Sequence, residues 1–354
     1  MKMGLSVSEW PEPDDDSLMS AITVLIPTHN RCAELKQTLE AMYRVDRHGI
    51  ACEFVVIDNN CTDSTPQVLA EYKQRLPLIS LQEKRPGKNC ALNKALRECS
   101  MRDIVVFADD DVSPNENWLQ EIVAATKKWP NIAVFGGRIH VKWPNDHQPD
   151  WAASGWIMEI GYSLHDLGND DMLYSSRACP FGPNYWVRKT VFDRLPFFDE
   201  TIGPRPENRI MGSETSFLLA LKRLGFQMLY YPGARVLHRI LTKECSVPRL
   251  RRRGYWYGRG EVKLHGWHRR GVCARSKVLW LLMLLADYIF TSARYAFGLA
   301  HRSVRRNCEI TVQSMVRFGC LYQTFKEFGE SLKSSQTSAP MKDPNRGPTN
   351  IPET

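Results

Sequence analysis

The chain of 354 residues is 43% hydrophobic and 24% charged, the make-up of an ordinary soluble globular protein with room for one large α/β domain and an appendage, or for two modest domains. Its ten cysteines form no CxxC pairs and no His-rich spacing, which argues against a disulfide framework and suits buried thiols (Cys52, Cys90 and Cys99 fall inside predicted elements) in a reducing compartment. The net charge of +8 is unevenly spread: "WPEPDDDS" near the start is acidic, whereas residues 249–277 hold ten Lys or Arg against one acid, Glu261.

The opening "MKMGLSVSEW" has no apolar h-region, and the longest apolar run, "VLWLLMLLA" (278–286), is too short to span a bilayer and is broken by Asp287. The expectation is a cytoplasmic protein able to touch the cytoplasmic face of a membrane. After an acidic segment (1–20), one grammar repeats: a β-branched run, a polar turn, an amphipathic helix. "ITVLIP" (22–27) leads through "THNR" into a helix with Leu35, Leu39 and Met42 at helical spacing. "EFVVID" (53–58) leads through "NNCTDST" into a helix carrying Val68, Leu69, Tyr72 and Leu76. "LISLQE" (78–83) and "DIVVFA" (103–108) repeat the pattern, the latter through the turn "DDDVSPNEN".

Strands apolar on both faces and alternating with helices predict a doubly wound α/β domain with a mostly parallel sheet. Its ligand site lies beyond the carboxyl ends of the strands, so the turns carry the chemistry. Thr28-His29-Asn30-Arg31, Asp58-Asn59-Asn60, Arg85-Pro86-Gly87-Lys88-Asn89 and Asp109-Asp110-Asp111 share that rim. Further on, a strand over 134–143 precedes a Trp-rich irregular region to 178, and "FGPNYWVRK" gives a short strand and a helix near "TVFDRL". "GSETSFLLALKRLG" (212–225) is a helix with Phe217, Leu218, Leu221 and Leu224 inward and Gly225 as its cap. "FQMLYYPGARVLHR" closes with two short strands, and from about 333 the composition is that of a disordered tail.

"VLIPTHNR", "VVIDNNCTDST", "RPGKNCALN", "VVFADDDVSP", "FGGRI", "FGPNYWVRK" and "GSETSFLLALKRLGFQMLYYPGARVLHR" occur in the order and approximate spacing of the family 2 glycosyltransferases, and residues 21–240 resemble that family's GT-A domain. The resemblance implies an inverting enzyme that moves a sugar from a nucleoside-diphosphate sugar, with UDP the expected nucleotide, to an acceptor hydroxyl in glycan, polysaccharide or glycolipid assembly. Carried over residue by residue, it implies that Pro27, Thr28, Asn30, Arg31, Asp58, Arg85, Lys88, Asp109, Asp110 and Asn184 bind the nucleotide or donor. Asp111 and His238 are implied ligands of a divalent cation, Mn²⁺ or Mg²⁺; a lone His at a strand end is also an ordinary structural residue. Glu214 is the implied general base, although Ser213 stands where an acid is common and Glu replaces the usual Asp. Asp58 equally suits an Asx-turn, Arg85 and Lys88 a charged surface loop, and Trp143, Trp151, Trp156, Tyr162 and Trp186 either a sugar platform or core.

Residues 241–332 read as a basic, aromatic and helical extension. "RLRRRGYWYGRGEVKLHGWHRRG" followed by "KVLWLLMLLADYIF" suits an anionic membrane surface, and equally a helix packed on protein; no nucleic-acid-binding motif accompanies the charge. Two rival functions stay open. One is a degenerate GT-A domain acting as a binding or scaffold module. The other is a sugar nucleotidyltransferase, although "IPTHNRCAEL" lacks that class's Gly-rich phosphate loop.

Overall fold

The computed structural model describes residues 20–206 and 208–265, short stretches within 282–293, and 304–337, with side chains to 330. The chain divides into two compact units, the first formed by residues up to 148 with 162–208 and 213–242, the second by 149–161, 209–212 and the chain from 243.

The first unit is one sheet of nine described strands flanked by helices. In chain order these are β1 (Ala21–Thr28), α1 (Cys32–Arg44), β2 (Ala51–Asp58), α2 (Thr65–Tyr72), β3 (Leu78–Gln82), α3 (Lys88–Glu98), β4 (Ile104–Phe107), β5 (Val112–Pro114), α4 (Trp118–Lys128) and β6 (Val134–Lys142). They continue with α5 (Gly155–Tyr162), which crosses into the second unit, then β7 (Met172–Leu173), β8 (Tyr185–Arg188), α6 (Ser213–Arg223) and β9 (Met228–Arg239). The strand order is β3-β2-β1-β4-β8-β6-β9-β5, with β7 beside β9. β1 to β4 run parallel, β8 is antiparallel to β4 and β6, and β9 is parallel to β6.

Successive side chains of one strand point to opposite faces, so a strand apolar throughout feeds two cores. Ile22, Val24 and Ile26 of β1 and Phe54 and Val56 of β2 pack with α1, α2 and α4. Leu25, Val55, Ile57, Val105 and Phe107 pack on the other face with α3 and α6. This is the mostly parallel sheet, with helices on both faces, that the strand pattern predicts, and its mixed form is that of the GT-A fold that the resemblance implies.

Five local expectations change. The turn after Asp111 contains β5, antiparallel to β9. The two strands expected after Phe226 are one, β9, whose pairing with β6 skips Pro232, Gly233 and Ala234 between Tyr231 and Arg235; a proline has no amide to give a ladder. The Trp-rich region is partly ordered, with α5 and β7 inside it. The helix near "TVFDRL" is a short 3₁₀ segment, Lys189–Asp193. Leu224 is 39% exposed rather than inward, because α6 ends at Arg223 and the left-handed Gly225 (φ 93°) turns the chain away.

In the second unit, α7 (Val247–His265) packs on α8 (Val304–Thr337), with Leu250, Val262 and Leu264 of α7 and Val312, Val316 and Cys320 of α8 buried. Glycine permits the approach: a Cβ at Gly258 would lie 1.9 Å from the Val316 carbonyl oxygen, and one at Gly319 would lie 2.1 Å from that of Tyr255. Most of the apolar run at 278–286 falls outside the described residues, as does the acidic N-terminal segment. Among the described residues no helix is long and apolar enough to cross a membrane. The described cysteines are all free thiols.

Candidate active site

The carboxyl ends of β1, β2 and β4 and the N-termini of α3 and α6 deliver most of the expected site residues. Thr28 ends β1, and its hydroxyl donates to Asp110 Oδ2 at 2.7 Å. Asn30 follows in the left-handed region (φ 52°), a conformation asparagine tolerates, and its Oδ1 accepts from the Thr62 amide at 2.7 Å. Pro27 is half-buried beside them on β1. Asp58 ends β2, and its Oδ1 accepts from the Cys61 amide at 2.7 Å, three residues on, so the carboxylate braces its own turn one residue beyond the reach of an Asx-turn. Asn59, unremarked in the sequence beyond its place in the turn, ties its own turn to the one between β3 and α3: its Nδ2 donates to the carbonyls of Glu83 and Arg85, and its Oδ1 accepts from the Gly87 amide.

Asp110 and Asp111 are buried. Arg31 reaches both, at 3.3 Å from Asp110 Oδ1 and 2.9 Å from Asp111 Oδ2. Burial pushes the Asp110 carboxyl up, and the neighbouring Asp111 charge adds to this against the pull of Arg31. Burial acts on Asp111 in the same sense, but His238, Arg31 and Arg239 outweigh it and hold its carboxyl far below the usual range. His238 Nε2 stands 3.4 Å from Asp111 Oδ2, and its Nδ1 donates to the Tyr162 carbonyl oxygen at 2.6 Å. Burial alone would lower the His238 pKa, but the Asp111 charge and hydrogen bond raise it above the ordinary value. Asp111 Oδ1 is buried with no hydrogen-bond partner. A buried carboxylate oxygen left empty is costly unless something else takes it, and a hard cation prefers such a ligand.

Asp109 and Glu214 converge on Lys88, whose Nζ donates to Asp109 Oδ1 at 2.5 Å and to Glu214 Oε1. Burial alone would lower the Lys88 pKa, but the two carboxylates carry it well above the usual lysine range. The pairing has a local cause. Ser213, the first residue of α6, is buried, and its hydroxyl donates to Asn89 Oδ1 at the start of α3. Asn89 Nδ2 in turn donates to the Asp199 and Ile202 carbonyls. With the two helix starts joined at 213 and 89, the neighbours 214 and 88 meet. Gly182 forms the wall behind Glu214: a Cβ there would lie 2.8 Å from the carboxylate carbon and Oε1. Tyr185 is fully buried, its hydroxyl without a partner, and burial with the charges of Glu214 and Asp109 pushes its pKa well up.

Two expected donor contacts lie elsewhere. Asn184 is fully buried; its Nδ2 donates to the Arg138 and Ala234 carbonyls and its Oδ1 accepts from Trp118 Nε1, so its amide is committed to the core. Arg85 is drawn to Glu83 and Glu200, at 2.9 and 3.0 Å, on a half-exposed surface. Of the aromatic cluster, Trp186 stacks on Phe135 and Trp143 packs edge-on against Tyr162, and all four rings are core. Sequence reasoning missed Thr38, whose hydroxyl donates to the Asp110 carbonyl, and Arg239, which donates to Thr38 Oγ1 and the Val112 carbonyl. Arg239 directly follows His238 in "VLHR", the one available cue.

Residues 23–195 match the family model described as Glycosyl transferase family 2. Glycosyltransferase AglE of Haloferax volcanii is 21% identical over 274 residues, covering 75% of this chain and 82% of its own length. Probable glycosyltransferase YdaM of Bacillus subtilis is 21% identical over 234 residues, 65% of this chain and 52% of its own, so the chain spans about half the length of that relative. The O-antigen chain rhamnosyltransferase WbaN of Salmonella anatum is 24% identical over 224 residues, covering 62% of this chain and 66% of its own. Among solved structures, GalNAc-T7 with UDP, GalNAc and Mn²⁺ superposes with a TM-score of 0.50 at 15% identity, over 90% of this chain and 58% of that one, a likeness of fold. The ordered motifs, the sheet and these matches agree: residues 23–195 form a glycosyl transferase family 2 domain, of a family of transferase enzymes.

Proposed function

We propose that the protein is an inverting glycosyltransferase that moves a sugar from a nucleoside-diphosphate sugar, with UDP the expected nucleotide, to an acceptor hydroxyl. The observation that carries this reading is the convergence on Lys88 of Asp109, from the turn after β4 and two residues before the buried Asp111, and Glu214, from the start of α6. Such a cluster costs desolvation and repulsion that nothing in the fold requires.

Thr28, Asn30, Arg31 and Asp58 bind the nucleoside end, with Asp109 beside them, and Lys88 supplies positive charge for the diphosphate. Asp111 and His238 fit a divalent cation: the empty buried oxygen is a ready ligand, and Mg²⁺ or Mn²⁺ in such sites takes one or two protein groups and completes its shell from substrate phosphates. Among the described residues no three His, Cys, Asp or Glu side chains form a closed cage, which accords with a cation shared with the donor. When bound, the cation supplies Lewis-acid relief of the charge on the departing diphosphate.

Glu214 accepts the proton of the acceptor hydroxyl. The acceptor oxygen forms its bond to the anomeric carbon from the side opposite the phosphate. The carbon–oxygen bond to the diphosphate breaks, its electron pair leaves with the nucleoside diphosphate, and the anomeric configuration inverts.

A glycan or lipid-linked acceptor accords with relatives such as the O-antigen chain rhamnosyltransferase. The exposed Leu282, Met283, Leu285, Ile289 and Phe290, with the basic run of α7, support contact with an anionic membrane surface on its cytoplasmic side. Co-sedimentation with anionic liposomes at physiological salt tests that contact, and its absence removes it.

The reaction itself is tested by release of free nucleoside diphosphate from a panel of sugar nucleotides with Mn²⁺, Mg²⁺ or EDTA. Metal-dependent release from one donor, lost in a folded Asp111→Asn protein, is expected. No release and no binding of any donor would leave a scaffold module as the better reading.

A further inference from the structure

Resting on the donor reading above, we propose that Lys88 is a positioning residue that holds Glu214 in the donor-free protein and passes to the donor's diphosphate on binding, so that donor entry frees the base. One ammonium serves two carboxylates, Asp109 and Glu214, in a pocket where the three side chains are 17%, 27% and 19% exposed. Screening by solvent is weak there, so the pair resists casual opening.

A Glu214 carboxylate bonded to an ammonium is a poor proton acceptor, because taking the proton forfeits the ion pair. The base is therefore blocked until Lys88 leaves.

Lys88 is also placed where a cation is least at home. It is the first residue of α3, and the N-terminus of a helix repels positive charge and attracts anions. The local field is offset at present by Asp109 and Glu214. A diphosphate answers both the helix and the lysine, and it carries more charge than a single carboxylate. Lysine suits the exchange, being a compact charge on a flexible four-carbon stem. Gly87, in a left-handed conformation (φ 133°), sets the start of the stem, and its amide is fixed by Asn59. Glu214 also faces the bare backbone of Gly182, the Asp109 carboxylate and the uncommitted hydroxyl of Tyr185.

This exchange has a consequence that a fixed structural lysine does not share. Removing the charge of Glu214 leaves Lys88 held by Asp109 alone and easier to draw away, so the base-deficient protein should bind nucleoside diphosphate more tightly than wild type. The experiment is calorimetric titration with UDP, GDP, ADP, CDP and dTDP in the presence of Mn²⁺, on wild type, Glu214→Gln, Lys88→Met and the double variant. Expected is a gain of about tenfold for Glu214→Gln, a loss of about tenfold for Lys88→Met, and a double variant equal to Lys88→Met. Equal or weaker binding by Glu214→Gln overturns the exchange. A gain that persists in the Lys88→Met background overturns it too, since that is mere removal of a negative charge. If wild type and Glu214→Gln bind none of the nucleotides, the donor reading itself falls and the exchange with it. Thermal melting checks folding; should Lys88→Met not fold, Lys88→Gln replaces it, and the wild type against Glu214→Gln comparison still decides the sign.

Discussion

Ser213 donates its hydroxyl to Asn89 Oδ1, and this bond between the first turns of α6 and α3 sets Glu214 against Lys88. An acid at 213 would bring a further negative charge to this buried contact with Asn89, whereas a hydroxyl answers the amide without one. The serine therefore fits the interior it occupies.

Replacing Ser213 with alanine leaves Asn89 Oδ1 buried and unmatched, at a cost of about 1–2 kcal/mol. Urea unfolding should show that loss, with turnover falling further than stability alone explains, because Glu214 is no longer held. Unchanged stability would mean that the bond contributes nothing.

Gly182 sits behind the Glu214 carboxylate at a distance that admits no side chain. Gly182→Ala should therefore lower kcat by at least about tenfold with nucleotide affinity kept or raised, since the displaced carboxylate meets the acceptor and loosens its hold on Lys88. Donor titration beside steady-state kinetics separates the two. Equal loss in both would place Gly182 at the nucleotide instead.

Asp111 balances Arg31 and His238 in a buried setting. Asp111→Asn takes the carboxylate charge away from buried His238 and one of two such charges away from Arg31, and should cost about 3 kcal/mol in unfolding free energy, as removal of one member of a buried pair does. The same substitution should abolish the rise in melting temperature that Mn²⁺ gives the wild type with nucleoside diphosphate. A rise that survives would put the cation elsewhere.

His165 is stacked against Tyr174 and Phe181, and its Nε2 lies 2.6 Å from the Tyr174 hydroxyl. Burial pushes its pKa down to about 4, against a smaller opposing effect of Asp166. The unfolded chain, with histidine near 6.5, binds a proton that the native state refuses between those two values. Stability supplied by the neutral ring is thus complete above pH 6.5 and lost as the pH falls through 4, by up to about 3 kcal/mol. Melting curves from pH 7 to 4 should fall less steeply for His165→Asn, measured from its own neutral-pH value.

The Tyr185 hydroxyl is buried with no partner, so Tyr185→Phe should leave the stability of the donor-free protein unchanged or raise it by up to about 1 kcal/mol. A clear loss would reveal a bond made to an ordered water.

The first half of the domain was legible because strands buried on both faces carry uninterrupted apolar runs, as in Val24, Leu25 and Ile26. β5 was not: three residues long and ending in proline, it exists through β9, more than a hundred residues later. Asn184 shows a second kind of blindness. A polar residue in a motif-rich stretch looks like a ligand contact, and only packing reveals that carbonyls on β6 and β9 consume its amide. Glu214 and Lys88 were each visible as candidates, but their contact spans 126 positions and rests on Ser213, which as a sequence feature looked like a defect.

β9 is the last strand of the sheet to be synthesised, yet it lies between β6 and β5 and brings His238 to Asp111. Until residue 239 has left the ribosome, β6 presents an open edge and β5 has no partner at all. A nascent chain stalled between residues 112 and 227 thus holds every aspartate of the rim without the strand that frames Asp111. The sheet around Asp111 is completed near the end of translation of this unit, and the interval before it is when the chain most needs shielding from its neighbours.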